Sequence, residues 1–183
     1  MTVTSPHKTH GEIRILGIDP GSRLTGYGCI AVRGVQLHLL GHGTLKLAKT
    51  KAGVVPPLEK RLTGIYHGIN EAIEKFKPHC VVVEKVFFAK NAVSALKLGQ
   101  ARGAVILTAA LHDLPIFEYN PTEVKAAVVG HGRAEKQQVA QILKLILGRG
   151  KPLETPFETS DASDAVALAL CHAQLMPRRA HHL

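Results

Sequence analysis

Ile13-Arg14-Ile15-Leu16-Gly17-Ile18-Asp19-Pro20-Gly21-Ser22 is the stretch that decides the fold: an apolar run that ends on a carboxylate and then bends. The run is too short for a helix and is expected to form a largely buried strand, with Pro20 and Gly21 bending the chain sharply after it. An ionised Asp19 at the end of such a strand is costly unless a cation or several donors meet it there. Two readings of Asp19 stay open on this stretch alone, a turn-opening residue or a metal ligand.

Working outward, Gly26-Tyr27-Gly28-Cys29-Ile30-Ala31-Val32 reads as a second strand, and Arg33-Gly34 as the turn into a third over residues 35–40. Such short spacing makes the three strands an antiparallel meander. Residues 42–54, rich in Gly, Lys and Thr, are expected to be loop or edge. Pro56 and Pro57 suit the first turn of a helix, and Leu58, Leu62, Ile65, Ile69, Ala72, Ile73 and Phe76 keep an apolar face at spacings of three and four. Pro78 ends that helix, and Cys80-Val81-Val82-Val83-Glu84 follows, a β-branched strand buried on both faces and again terminated by an acid. Strand, helix and strand joined by a crossover of this length favour a parallel pairing, which brings Asp19 and Glu84 out at the same sheet edge.

The second half is expected to be mostly helical. Residues 89–111 form a helix rich in small residues, with Gly99 and Gly103 four apart beside Ala95, Ala101 and Ala104. Small residues admit another backbone, either the sheet beneath or a second subunit, and the spacing alone favours the sheet. Residues 115–119 read as a fifth strand, 122–129 as a short helix, Gly130-His131-Gly132 as a break, and 135–147 as a helix. After a loop over 148–158 the last helix begins at Thr159 or Ser160, either of which can cap it, and runs to about residue 175. Asp161 and Asp164 share a face of its first turn, where acids are also favoured by the helix dipole.

The 183 residues fit one domain over 13–176, preceded by a polar, disordered tail at 1–12 and followed by a basic tail at 177–183. Twenty-three Lys and Arg against fourteen Asp and Glu leave a formal charge of +9, which favours a polyanionic partner. Cys29, Cys80 and Cys171 are far apart and lie in apolar runs, which argues against a disulfide framework or a zinc site and for a reducing, cytoplasmic setting. The polar start is not a secretory signal, and no run has the roughly 18 apolar residues of a membrane span.

Three separated elements thus deliver acids at their ends: Asp19 and Glu84 from strands, Asp161 and Asp164 from a helix start. Four carboxylates gathered at one edge repel one another and persist together only with divalent cations. Hard oxygen ligands suit Mg²⁺, with Mn²⁺ as a substitute, rather than zinc. Two such ions about 4 Å apart clamp the attacking and leaving oxygens of an in-line phosphodiester displacement.

Ile15-Leu16-Gly17-Ile18-Asp19-Pro20-Gly21-Ser22-Arg23, Gly26-Tyr27-Gly28, Glu84-Lys85-Val86-Phe87, Ala89-Lys90-Asn91, Ser94-Ala95-Leu96-Lys97-Leu98-Gly99-Gln100-Ala101-Arg102-Gly103, and Asp161 with Asp164 closely resemble the RuvC family of Holliday-junction resolvases. The order and spacing match over residues 13–172. The resemblance implies an α/β, ribonuclease-H-like fold: a mixed five-stranded sheet flanked by helices. It further implies a homodimer that nicks four-way DNA junctions symmetrically, with two Mg²⁺ per active site, in recombination and repair alongside the RuvA and RuvB branch-migration complex. By resemblance Asp19, Glu84, Asp161 and Asp164 are the catalytic, metal-binding acids; some relatives carry His at the position of Asp161. Phe87 matches a junction-opening aromatic, and a ring stacked on an unpaired base there is worth about 1 to 3 kcal/mol. Lys125 and Lys136 match basic residues near the scissile phosphate, and Lys85, Lys90 and Arg102, with Lys97 and Arg133, are further candidates for phosphate contact. The helix over 89–111 resembles the family's dimer helix, which reverses the preference for the sheet. The chain departs from its relatives at Lys85, often a neutral side chain in them, and in its long polar start and loop 148–158.

Two other classes compete. One is a junction-binding module without catalysis, against which the complete set of acids speaks. The other is a phosphotransferase of the actin and sugar-kinase type, which needs two such domains and more than 183 residues.

Overall fold

Alternation along five strands divides the molecule into layers. β1 (Ile13–Asp19) pairs antiparallel with β2 (Leu24–Arg33), and β2 with β3 (Gln36–Lys46). β1 also pairs in parallel with β4 (Cys80–Glu84), and β4 with β5 (Ile116–Tyr119). The order is β3-β2-β1-β4-β5, the mixed sheet expected from the sequence. This computed structural model describes residues 11–48, 54–85, 92–148, 153 and 156–179.

Successive side chains point to opposite faces of a strand, and each face here carries its own core. Leu16, Ile18, Cys29, Val81 and Val83 pack under α1 (Leu58–Phe76) and α2 (Ala92–Leu111). Ile15, Ile30, Cys80, Val82 and Tyr119 pack under α3 (Pro121–Val129), α4 (Lys136–Gly148) and α5 (Ser160–Arg179). α5 is the central helix of that face, with Ala162, Ala165, Val166, Ala169 and Leu170 all fully buried. It lies close to the sheet because the strands beneath it carry glycine: a Cβ on Gly17 would fall 1.9 Å from the carbonyl oxygen of Ala165, and one on Gly26 would fall 2.0 Å from that of Asp161.

Several boundaries differ from expectation. β3 runs on to Lys46 as an edge strand with a register shift opposite Cys29 and Ile30, so the start of the stretch read as loop or edge is paired. α5 extends through Arg179, into the stretch read as a tail. Gly99 and Gly103 do not admit the sheet: both are exposed, and a Cβ on either would meet nothing within 4 Å. α2 instead turns Ala101, Val105, Thr108 and Ala109 inward.

Candidate active site

The strand period aims the first two acids. Ile15 and Cys80 face α5, so two and four residues further on Gly17 with Asp19, and Val82 with Glu84, face it as well. The parallel register joins Ile15 to Cys80 and Gly17 to Val82; one further step sets Asp19 beside Glu84. Both strands end there, which leaves the carboxylates at the rim of the sheet rather than inside it.

α5 brings acids to the same rim. Thr159 caps it: its Oγ1 accepts from the Ala162 N–H at 3.2 Å and lies 2.5 Å from Oγ1 of Thr44, which ties the helix start to β3. Asp164 follows one turn later. Asp19, Glu84 and Asp164 then line one cleft of about 330 Å³, together with Lys125 from α3, Lys136 from the first turn of α4, and an apolar floor that includes Val124, Val139 and Leu168. Asp161 does not line that cleft, although its charge reaches Asp19 and its carbonyl lies over Gly26.

The electrostatics are those of crowded anions. Burial, then the charges of Glu84, Asp164 and Asp161, push the Asp19 carboxyl up to about 7, with Lys136 opposing. Burial and then Asp164 raise Glu84 above the ordinary carboxylate range, against Lys136 and Lys125. Lys136 Nζ donates to Asp164 Oδ2 at 2.7 Å, and that hydrogen bond raises the lysine in turn.

Among the described residues no three His, Cys, Asp or Glu side chains already stand together as a cage for an ion. The donor chemistry nevertheless fits a hard divalent cation. Carboxylate oxygens from three elements share one cleft, their mutual repulsion calls for positive charge, and the ammonium of Lys136 is already in contact with one of them.

The other expected contacts scatter. Lys85 is exposed just past β4, where its backbone N–H donates to the Tyr119 carbonyl at 2.9 Å. Lys97 and Arg133 are exposed and do not line the cleft. Arg102 pairs with Glu118 on the α2 side of the sheet and reaches the Glu84 carbonyl at 3.4 Å, so its guanidinium braces the strand ends from behind. Phe87 and Lys90 lie outside the described residues. His172, read as either near the site or core, is core: it is buried, its Nδ1 lies 2.7 Å from Tyr119 Oη, and its ring centroid is 4.2 Å from that of Phe117.

Sequence reasoning missed Arg61. It is buried on the inner stripe of α1, and its Nη1 donates to the Ser22 carbonyl at 2.7 Å, which holds the turn that follows Asp19. Its register with Ile65, Ile69, Ala72 and Phe76 is the signal that marks it as inward.

The sequence profile described as Crossover junction endodeoxyribonuclease RuvC matches residues 15–172. The chain belongs to the RuvC family. A RuvC of Pseudoalteromonas translucida is 52% identical over 87% of this chain and 85% of its own, and one of Geotalea uraniireducens is 47% identical over 88% of each. Among solved structures, Thermus thermophilus RuvC in complex with a Holliday junction substrate superposes with a TM-score of 0.80 at 34% identity, covering 91% of this chain and 96% of that one. The yeast mitochondrial resolvase Ydc2, at 16% identity and a TM-score of 0.61, shares the fold. The RuvC match spans all four acids, the helices that carry Lys125 and Lys136, and every strand of the sheet apart from the start of β1.

Proposed function

We propose that this chain resolves four-way (Holliday) DNA junctions by paired symmetric nicks, as a Mg²⁺-dependent crossover junction endodeoxyribonuclease. The observation that carries the reading is the single cleft in which Asp19, Glu84 and Asp164 meet Lys125 and Lys136. Asp19, Glu84, Asp161 and Asp164 are the residues that would hold the ions, two per site, with Mn²⁺ able to substitute for Mg²⁺. When bound, the ions supply Lewis-acid charge at the attacking and leaving oxygens of the phosphodiester. Lys125 and Lys136 stand where a phosphate entering the cleft finds two ammonium groups beside the acids. Val124, Val139 and Leu168 give the cleft an apolar floor, and low-polarity surroundings strengthen charge interactions beside them. Arg61 and Thr159 position the acids by holding the turn after Asp19 and the start of α5. Lys85, Phe87 and Lys90, on the segment after β4, are proposed as further junction contacts. Arg102 is left out of that set because Glu118 already engages it.

Paired nicks require two sites related by a two-fold axis, hence a homodimer. α2 offers the surface for it: Val93, Leu96, Leu107 and Leu111 are each about 60% exposed, and Gly99 and Gly103 lie among them with open space above. The working unit is the domain over 13–176, acting in the cytoplasm with the RuvA and RuvB branch-migration complex. No described helix is long and apolar enough to cross a membrane.

A synthetic four-way junction tests the reading. The wild type should nick it with Mg²⁺ and bind without nicking in Ca²⁺, whose larger, looser coordination misplaces the reacting oxygens. Asp19→Asn should bind and not cut. Unchanged cleavage by Asp19→Asn would overturn the proposal, and binding without cleavage by the wild type would favour the non-catalytic module.

A further inference from the structure

The ion pair between Lys136 and Asp164 is a partition between two clefts. One is the acid-lined cleft of about 330 Å³; the other, of about 300 Å³, lies between α4 and the start of α5, where Lys144, Phe157 and Ser160 contribute to its walls. Lys136 and Asp164 line both. Among the described residues this is the sole ion pair made by any of the four acids.

The two partners are not held alike. The Lys136 side chain is 73% exposed and that of Asp164 only 25%. Asp164 rides on a helix seated on strand backbone at Gly17 and Gly26, so its position is set by the core. Lys136 is a long, mostly solvated side chain anchored by one hydrogen bond, and it leaves with little desolvation cost. A divalent cation carries twice its charge and competes for the same oxygen. Once released, the ammonium remains within a side-chain length of the cleft, where a phosphate oxygen is a charge-assisted partner of similar strength.

We propose that Lys136 is the resident counter-ion of the carboxylate cluster, yielding Asp164 Oδ2 when a divalent cation binds and then turning to the phosphate of the DNA strand. This rests on the metal-dependent nuclease reading above. Its consequence is coupling: without metal the cleft holds a masked acid and an occupied lysine, and metal binding takes up the acid and frees the lysine for substrate.

Calorimetric titration of Mn²⁺ into the full-length protein without DNA tests the exchange. Lys136→Gln, a change at an exposed position, should bind Mn²⁺ roughly fivefold more tightly because no ammonium has to be displaced, a gain equivalent to ~1 kcal/mol. Lys136→Arg, which restores the pair, should return to wild-type affinity. Lys125→Gln removes a charge that lines the same cleft without a hydrogen bond to any acid among the described residues, and should tighten binding by about twofold or less. Unchanged or weaker Mn²⁺ binding by Lys136→Gln, or an equal gain in Lys125→Gln, overturns the exchange. A wild type that binds no Mn²⁺ and leaves junctions uncut overturns the nuclease reading as well, whereas a wild type that cuts junctions and shares its Mn²⁺ affinity with Lys136→Gln overturns the exchange alone.

Discussion

Asp19 concentrates the cost of the site in one side chain. Its carboxyl, raised to about 7 by burial and by three neighbouring acids, keeps its proton in the folded protein over a range in which the unfolded chain has already lost it. The sign follows from linkage: the stability associated with that proton is complete below the ordinary value of 3.8 and is lost as pH rises through about 7. Glu84 is shifted in the same direction. In metal-free buffer the melting temperature of the wild type should therefore fall between about pH 4 and pH 7 relative to that of Asp19→Asn, which carries no such proton. Above that window Asp19→Asn should be the more stable of the two. Adding Mg²⁺ at pH 8 should restore the wild type and leave Asp19→Asn unmoved. Thermal melts across this range check the prediction, and parallel curves for the two proteins would refute it. The carboxylate at the end of an apolar strand was visible in the chain itself; its elevated pKa was not, because three of the charges responsible are 65 or more residues away.

At the scale of elements the decisive contact is α5 on the sheet. The strand-helix-strand crossover put Asp19 and Glu84 at one sheet edge, and the apolar periodicity located most of α1 and α4, so those elements could be recognised from sequence. The seating of α5 could not, since it depends on Gly17 and Gly26 lying under the helix backbone, a contact between residues far apart in the chain. Gly26→Ala should show this directly. Its Cβ would fall 2.0 Å from the Asp161 carbonyl oxygen and 2.9 Å from the Ala162 nitrogen, both backbone atoms, so the helix start has to lift. Overpacking of this kind costs about 1 to 3 kcal/mol, and chemical denaturation should register it. Junction cleavage should fall further than that loss of stability accounts for, because Asp161 and Asp164 move with the helix. Retention of full cleavage would show that the acids on α5 tolerate displacement. The small residues of α2 teach the converse: Gly99 and Gly103 invited a packing partner, and among the described residues of the chain they have none.

For the whole molecule the second subunit and the polyanion set the scale. The +9 charge suits DNA, and because that surplus already nets out the acids, the pairs of Lys136 with Asp164 and of Arg102 with Glu118 leave it intact and decide only which cations are engaged within the protein. The exposed stripe on α2 bears on the dimer. Leu107, 59% exposed, can be exchanged without opening the monomer core. Leu107→Arg should leave the far-ultraviolet circular dichroism intact, convert the sedimenting species from dimer to monomer at micromolar concentration, and replace paired nicks by isolated ones. A dimer that survives the substitution would place the interface elsewhere, and a wild type that sediments as a monomer would remove the basis for symmetric cutting.

The sequence by itself determined the strand and helix order, the acids at strand ends and helix start, and membership of a nuclease family, because local periodicity and motif spacing are properties of the chain alone. Tertiary structure decided which acids line the cleft, that Lys136 pairs with Asp164, that Arg61 braces the turn behind Asp19, and that Arg102 serves Glu118 instead of the cleft. Each of these depends on distances across the sheet, set by glycine-allowed helix seating and parallel strand register, which no stretch of sequence encodes on its own.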